Sequence, residues 1–470
     1  MERFKGAALR HYYFIPFLFL IGCATFYQKN IVFQNQFATG QIEDANKTLD
    51  KNKKIAKGNN KLLYNLQKGV VLQMLGDYEA SNEYFEKAYF FTEDYRKNYS
   101  LEALSLITNP NVKPYVGEDH ELVLIHYYKA LNYLRMNQLD EALVECRRIN
   151  IKLNELNDKY GEKKNRYDVD PFAHNLMGIV FEASGEINDA FIAYRNAYEA
   201  YKAKLEDFGV PVPKQLKQDL MRSAYLNGFT NELKQYEKEF NLTFNYNPIE
   251  NGELVFFWHN GLGPVKSEWT VNFFVVKGAG GVVYFENKEL GMSFPFPMPR
   301  NEDGSSQLGD LKIVRIAFPK YEERVPYFYS ANIEANGTKF QLEKGEDISA
   351  IAFTTLEDRM LREFANTLLR FALKQAGELA LRGENEGLGA LLSIVNAATE
   401  KADTRNWQTL PHDIFYARVP LKKGDNKIEL TAISNSKDKS KHEFNFEGQP
   451  NKTVFHIFSS LESAPPASQY

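Results

Sequence analysis

The sequence predicts an N-terminal all-α solenoid of helical repeats, followed by an α+β domain with a largely antiparallel sheet. Two observations support this prediction. A spacing of small and large residues recurs through the first half of the chain, and the hydrophobic pattern becomes strand-like from Leu254 onward. A short apolar segment precedes both halves. We therefore expect domain boundaries at residues 1–22, 23–245 and 250–460.

The first 22 residues carry a basic segment followed by an apolar one, Tyr12–Ile21, which is typical of a signal peptide. The apolar stretch is about half of the roughly 20 residues that span a bilayer. Leu20-Ile21-Gly22-Cys23 resembles the lipobox of bacterial lipoproteins. That resemblance implies acylation of the Cys23 thiol and cleavage before it. The alternative is an ordinary signal peptide or N-terminal anchor that contains a cysteine.

Charge and cysteine content limit the classes of partner. The formal net charge of −4 argues against nucleic acid, which binds basic surfaces. Once Cys23 is acylated, Cys146 is the one remaining cysteine, so we expect no intrachain disulfide. Ala24 follows the lipobox cysteine, and by resemblance to lipoprotein sorting rules this favours the periplasmic face of the outer membrane.

Three segments, beginning at Gly69, Ala130 and Gly178, share the same offsets of small and large residues. Small residues suit the points where two antiparallel helices cross closely, and large residues fill the space beside them. This pattern resembles the tetratricopeptide repeat. The residues assigned to repeat packing are Gly69, Tyr78, Phe85, Ala88, Ala130, Ala142, Gly178, Ala190, Tyr194 and Ala197.

The turns between paired helices are predicted at Gly40, Gly76, Asn137, Gly185 and Gly228, because glycine and asparagine tolerate the positive φ that ends a helix. Weaker matches around the first and last of these extend the array to four or five hairpins over about residues 27–245. Stacked hairpins share one core and leave a concave surface that suits extended peptides and helices.

In the second half, strand-like segments flank one strongly periodic helix, Glu357–Arg382. Four precede it, "ELVFFWH", "TVNFFVV", "GGVVYFE" and "LKIVRIAF", and four follow it, "IFYARVPL", "NKIELTAI", "HEFNFE" and "TVFHIFS". Two glycine-rich stretches have structural interpretations. "GAGG", Gly278–Gly281, is interpreted as a hairpin turn, and "GLGALLSIVNAA", Gly387–Ala398, as a buried helix that is too short to cross a membrane.

Beyond the repeats, the whole chain resembles a family of bacterial tetratricopeptide-repeat (TPR) envelope lipoproteins. The resemblance rests on "LNYLRMNQLDEALVECRRIN", "DPFAHNLMGIVFEASGEINDAFIAYRNAYEAY", "GELVFFWHNGLGPVK" and "TEKADTRNWQTLP". It implies an envelope location, and members of this family often accompany lipoproteins similar to the curli secretion channel. It implies no established activity.

The chain shows no sequence motif for a metal, nucleotide or dinucleotide site, so we expect no cofactor and no metal. Two segments concentrate polar chemistry. One contains Asp403, Arg405 and Trp407, followed by a histidine and an aspartate; the other contains His259 and Lys266. We favour a structural role for both, in which Asp403, Arg405 and Trp407 hold the helix Glu357–Arg382 against the sheet. Partner binding by these five residues is the first alternative, and acid–base catalysis by His412 and Asp413 is the second.

Three functional classes follow from these patterns. The first is a lipid-anchored scaffold that holds other cell-envelope proteins in its solenoid groove, in envelope assembly or secretion. The second is an envelope hydrolase, and the third is a glycan or peptidoglycan binder, each with its site in the C-terminal domain. The repeats favour the scaffold, and the sequence offers no nucleophile-and-base pair for an enzyme.

Overall fold

The computed structural model of the chain describes residues 25–97, 113–160, 165–278, 282–297, 313–384 and 402–467. Cys23 and the lipobox, the segment Gly387–Ala398 and most of the glycine turn at Gly278–Gly281 lie outside these residues.

The first half of the described chain is helical. Its helices are α1 (Phe26–Lys29), α2 (Ile31–Ala38), α3 (Ile42–Lys51), α4 (Lys53–Lys57), α5 (Lys61–Met74), α6 (Tyr78–Lys97), α7 (Asp119–Arg135), α8 (Leu139–Tyr160), α9 (Pro171–Ala183), α10 (Ile187–Phe208), α11 (Lys214–Leu226) and α12 (Thr230–Phe240). Within the described residues they form five hairpins, α2–α3, α5–α6, α7–α8, α9–α10 and α11–α12. The predicted array of TPR-like hairpins is confirmed in this half.

Each hairpin turn contains a residue with positive φ at the predicted position. The values are 74° at Gly40, 82° at Gly76, 57° at Asn137, 81° at Gly185 and 73° at Gly228. In the second hairpin, Gly76 N–H donates to the carbonyl of Gln73, and the next N–H, of Asp77, donates to Leu72, each at 3.0 Å. The other four turns have the same two bonds, which define the Schellman motif.

The repeat offsets bring glycines of the first helices against rings of the second helices. A Cβ atom at Gly69 would lie 2.6 Å from the ring of Phe85, and one at Gly178 would overlap the ring of Tyr194. The alanines at the repeat offsets are buried, whereas Tyr78 is half-buried. From the repeat offsets we expected Gly178 and Ala190 to form a close helix crossing. The structure places the ring of Tyr194 directly against this glycine.

The second half contains β1 (Glu253–Asn260), β2 (Val265–Lys277), β3 (Val282–Asn287), β4 (Met292–Pro297), β5 (Ile313–Glu322), β6 (Phe328–Ala335), β7 (Thr338–Gln341), β8 (Glu343–Asp347), α13 (Ile348–Glu384), β9 (Asp413–Pro420), β10 (Gly424–Ser434), β11 (Lys439–Gly448) and β12 (Thr453–Ser460). Strands β4, β6, β7 and β8 were not predicted. The helix begins at Ile348 rather than Glu357.

The described strands form three four-stranded sheets, ordered β12-β1-β9-β8, β11-β10-β6-β7 and β4-β3-β2-β5. Their named pairings are antiparallel except that of β1 with β12, which is parallel. The largely antiparallel character was therefore predicted correctly, but as three sheets rather than one. Among the described residues, no helix combines the length and apolarity needed to cross a membrane.

Two of the three sheets pack face to face. Trp258 of β1 and Phe415 of β9 share a core with Leu430 of the second sheet. The third sheet packs on α13, where the rings of Phe318 and Phe364 lie 4.2 Å apart between centroids. β1 is buried along its whole length because its other face packs against the helical half.

The helical half and the sheet β12-β1-β9-β8 share one continuous core. Phe172 of α9 lies against Phe257 of β1 and Tyr416 of β9, with ring centroids 6.3 and 5.8 Å away. Tyr128 of α7 lies 5.4 Å from the ring of Trp407. The first helices of the central hairpins are therefore covered by this chain's own sheet. The solenoid surface that we expected to receive a partner is already occupied.

Candidate functional site

The two polar segments identified in the sequence lie side by side. We call residues 402–412 the connecting loop, since it leads into β9. Asn406 accepts a hydrogen bond from Lys266 N–H at 3.1 Å and donates one to the carbonyl of Pro264 at 2.8 Å. Gly263 N–H donates to the Leu410 carbonyl at 2.8 Å. The connecting loop and the turn between β1 and β2 therefore form one unit.

Trp407 anchors this unit to the helices. Its side chain is 1% exposed, and its ring centroid lies 5.8 Å from that of Phe85 in α6. Its backbone N–H donates to Glu121 Oε1 at 2.5 Å, and its indole N–H donates to Thr409 at 2.9 Å. A buried tryptophan whose backbone and indole N–H groups are both satisfied is an anchor of the core.

Asp403 and Arg405 form a bidentate pair, with Arg405 Nε and Nη2 at 2.8 and 2.6 Å from the carboxylate oxygens. The same guanidinium donates to the Lys113 carbonyl at 3.0 Å and lies over the ring of Tyr115. Both contacts are with the segment that leads into α7. This pair therefore fixes the loop on the helical half rather than on α13, where we expected it.

His259 and Lys266 also face the helices. His259 Nε2 lies 2.9 Å from the hydroxyl of Tyr127, and burial lowers the pKa of this imidazole to about 3. The Lys266 ammonium bonds to Glu118, which also bonds to Arg359 of α13. Burial opposes ionisation of Glu118, but the two cations lower its pKa to about 2.

Four of the five candidate partner-binding residues, Arg405, Trp407, His259 and Lys266, are buried against the chain's own helical half, where a separate partner has no access to them in this conformation. Asp403 is partly exposed and pairs with Arg405. Sequence reasoning did not identify Glu118 and Glu121, which hold the loop from the helical side. Their signal is the Glu-x-x-Glu spacing at the start of α7, where the Glu121 carboxylate accepts from the backbone N–H of Glu118 at 3.0 Å.

A second buried ionic cluster joins the halves at β9. Arg418 donates to Glu253 of β1 at 3.0 Å and to Glu182 of α9 at 2.7 Å, and Arg222 of α11 donates to Glu182 at 2.7 Å. Burial opposes ionisation of Glu182, but the two guanidinium groups hold its pKa well below the usual range. Removing one member of such a cluster leaves a buried charge unpaired, so the contact favours one arrangement of the halves.

His412 and Asp413 belong to a third cluster at the start of β9. His412 Nδ1 lies 3.1 Å from Asp413 and Nε2 lies 3.0 Å from Glu323. Burial opposes protonation, but hydrogen bonds and charge from these acids raise the pKa of His412. Among the described residues, neither imidazole nitrogen contacts a hydroxyl or thiol, so the geometry lacks the nucleophile of a covalent mechanism.

Asp347 joins His412 and Asp413 in an arrangement that has the ligand types of a metal site, with one ligand atom from each within 4.8 Å of the others. However, the Lys344 ammonium lies 2.6 Å from Asp413 and 3.0 Å from Asp347. The ammonium already neutralises part of the carboxylate charge, and the imidazole is paired with Asp413 and Glu323. The donor set therefore fits an ion-pair cluster better than a divalent cation.

An open concave feature lies on the helical half. A groove of about 590 Å³ lies between α6 and α8, with α7 as its floor. We call it the acidic groove, and it is lined by Glu79, Asn82, Glu83, Glu86, Lys129, Tyr133, Met136, Gln138, Glu141, Val144, Glu145 and Arg148. Tyr128 and Arg135 of α7, which contact the second half, are not among these residues. The groove is thus separate from the covered surface.

Comparisons with family models and with curated proteins find no match. Among solved structures, one of MamA is 14% identical with a TM-score of 0.29, covering 44% of this chain and 91% of that one. MamA from Desulfovibrio magneticus RS-1 is 16% identical with a TM-score of 0.28, covering 45% and 89%. The Rap conjugation gene regulator of plasmid pLS20, in complex with the Phr* peptide, is 17% identical with a TM-score of 0.28, covering 46% and 54%. Similarities at these TM-scores carry no assignment of function.

Proposed function

We propose that this protein is a lipid-anchored scaffold of the bacterial cell envelope that binds other envelope proteins, in assembly or secretion, through its helical half. The proposal rests on the array of TPR-like hairpins. One side of this array packs against the chain's own sheet, and an open groove lies elsewhere on it. Hairpin arrays of this kind present extended surfaces to protein partners.

The lipobox resemblance at Leu20–Cys23 supports the anchor, and Ala24 after the cysteine supports the location at the periplasmic face of the outer membrane. A diacylated terminus buries many CH₂ groups at about 0.8 kcal/mol each, so attachment by two or more chains is stable. The net charge of −4 supports protein rather than nucleic-acid partners.

The anchor is tested by metabolic labelling with an alkyne fatty acid and by fractionation of cells. The wild-type chain is expected to carry the label in the membrane fraction, and Cys23→Ser is expected to lose the label and to accumulate as an uncleaved precursor. Cys146→Ser is the matched control, since this thiol is buried in the core and is expected to leave labelling unchanged. A Cys23→Ser product that is processed normally and released in soluble form would contradict the anchor.

The scaffold role is tested by photo-crosslinking in intact cells. A photoreactive amino acid at Val144, which is 44% exposed in the acidic groove, is expected to crosslink to a discrete envelope protein. Leu205 of α10 is similarly exposed but lies outside that groove, and it serves as the control position. Equal crosslinking patterns at both positions, or none at Val144, would contradict the proposal.

A further inference from the structure

We propose that the acidic groove binds a basic segment of a partner protein in extended conformation. This inference deepens the proposed function, on which it rests, by naming the chemistry of the partner. Three features of the groove carry it: an excess of carboxylates, an unsatisfied buried amide donor, and apolar surface beside both.

The charge of the groove is the first feature. Its lining contains five glutamates, Glu79, Glu83, Glu86, Glu141 and Glu145, against the cations Lys129 and Arg148. Both cations are already engaged inside the groove. Lys129 bonds to Glu86 and lies 2.8 Å from Glu145, and Arg148 lies 2.9 Å from the same carboxylate.

The remaining glutamates are open to a ligand. Glu79, Glu83 and Glu141 are exposed, and they stand on both walls of the groove, on α6 and α8. Among the described residues, Lys129 and Arg148 make no hydrogen bond or ion pair with these three glutamates. Glu83 has an exposed contact with Lys87 at 3.4 Å. A ligand of complementary charge therefore carries Lys or Arg side chains.

The second feature is Asn82, whose side chain is 8% exposed and whose Nδ2 has no hydrogen-bond partner among the described residues. A buried donor without a partner is costly, so it indicates a missing acceptor. Asn82 lies on the groove wall between the glutamates of α6.

A series of side-chain hydrogen bonds fixes the orientation of the Asn82 amide. Gln73 Nε2 donates to Asn132 Oδ1 at 2.7 Å, and Asn132 Nδ2 donates to Asn82 Oδ1 at 2.8 Å. Since each amide gives its donor to the oxygen of the next, the last free group in the series is the NH₂ of Asn82. The unsatisfied donor of this series therefore belongs to a residue that lines the groove among its acids.

A donor of this kind takes a carbonyl oxygen. The carbonyls of a helix are engaged within the helix, whereas an extended segment has free carbonyls along its length. The third feature, the apolar surface of Val144, Tyr133 and Met136, lies beside the charges and can receive the aliphatic stems of Lys or Arg. Together these features select an extended basic segment over a helix, a metal ion or an acidic ligand.

The test is a fluorescence-anisotropy titration of the full-length processed chain, in detergent, with a labelled decapeptide of alternating Lys and Ala. A decapeptide of alternating Glu and Ala is the control probe. We expect the basic peptide to bind at least tenfold more tightly than the acidic one, with an affinity that falls as salt is raised. Equal affinity for both peptides, or no binding of the basic one, would overturn the inference.

Variants locate the binding on the protein. Glu83→Lys/Glu141→Lys reverses two exposed charges in the groove and is expected to weaken the basic peptide at least tenfold. Glu206→Lys/Glu447→Lys makes the same change at exposed positions outside the groove lining and is expected to retain more of the affinity than the groove variant. Equal losses in the two double variants would show that overall charge, and not the groove, attracts the peptide, and would overturn the inference.

Asn82→Ala tests the amide donor. It is expected to weaken the basic peptide at least threefold, while Asn132 Nδ2 keeps its bond to Ser81 at 2.9 Å and the fold is retained, as checked by circular dichroism. An unchanged affinity in a folded Asn82→Ala chain would overturn the role of the donor and with it the extended-backbone assignment. The proposed function is tested by different measurements, namely fatty-acid labelling at Cys23 and crosslinking in cells. Its failure can therefore be distinguished from a failure of peptide binding.

Discussion

The ring of Trp407, in the loop before β9, lies 5.4 Å from the ring of Tyr128 in α7, across the boundary between the helical and the sheet-containing halves. The two side chains are almost completely buried in one core that continues into both halves. The boundary that looks like a change of domain in the sequence is, in the structure, the centre of a shared core.

The first prediction concerns this contact. Trp407→Ala is expected to destabilise the whole chain by about 3–5 kcal/mol, because it removes a large buried ring from the shared core. Melting curves followed by far-ultraviolet circular dichroism are expected to show one transition at a lower temperature. Tyr329→Ala, at a ring that is 53% exposed, is the control with a shift near zero. Retention of a separate, unshifted helical transition would contradict the shared core.

The second prediction concerns the repeat packing. Ala190 of α10 is fully buried, so Ala190→Phe is expected to overpack the hairpin and to lower the free energy of unfolding by about 1–3 kcal/mol. Ala203→Phe places the same ring at an exposed position of the same helix and is expected to be nearly neutral. Urea denaturation of the full chain measures both. Equal stability of the two variants would show that the packing around Ala190 differs from that described.

The third prediction concerns pH. Burial and the neighbouring Glu118 carboxylate raise the pKa of Glu121 to about 7. Because the folded pKa exceeds the unfolded one, the contribution of Glu121 to stability is full below about pH 4.3 and is lost as pH rises through about 7. The stability of the wild-type chain relative to Glu121→Gln is therefore expected to fall between pH 5 and 8 in urea denaturation. A difference that is constant or rises over this range would contradict the assignment.

The fourth prediction concerns His412. Its imidazole pairs with Asp413 and Glu323, so His412→Ala is expected to lower the melting temperature without changing crosslinking at Val144 or membrane attachment. His442, at the edge of the second sheet, offers a control substitution outside this cluster. A folded His412→Ala chain that behaves in cells like a deletion of the gene would instead favour a catalytic role for the cluster.

Much of the fold could be predicted from local patterns in the sequence. The five turn positions of the hairpins were predictable because Gly or Asn stands wherever a Schellman turn requires positive φ. Most of the described strands of the second half, though not β6, were predictable from their runs of apolar and β-branched residues. β7 and β8 were missed because they are short and largely polar, as in "TKFQ" and "EKGED".

The arrangement of the halves was not predictable from these patterns. Trp407, His259 and Lys266 could be identified as unusual, but their partners Tyr128, Tyr127 and Glu118 lie far away in sequence. Such pairings depend on long-range topology, which neither periodicity nor turn chemistry records. The acidic groove was missed for the same reason, because its walls come from two different hairpins and its key donor is a lone asparagine.

The most direct test of the account is native-state hydrogen exchange of the full chain in increasing urea, read by mass spectrometry in α7 (Asp119–Arg135) and in β1 (Glu253–Asn260). If the two halves form one cooperative unit, the slowest amides of both segments are expected to open with the same free energy and the same urea dependence. Exchange of α7 through a separate opening, at urea concentrations where β1 stays protected, would contradict the claim that the sheet fills the solenoid face.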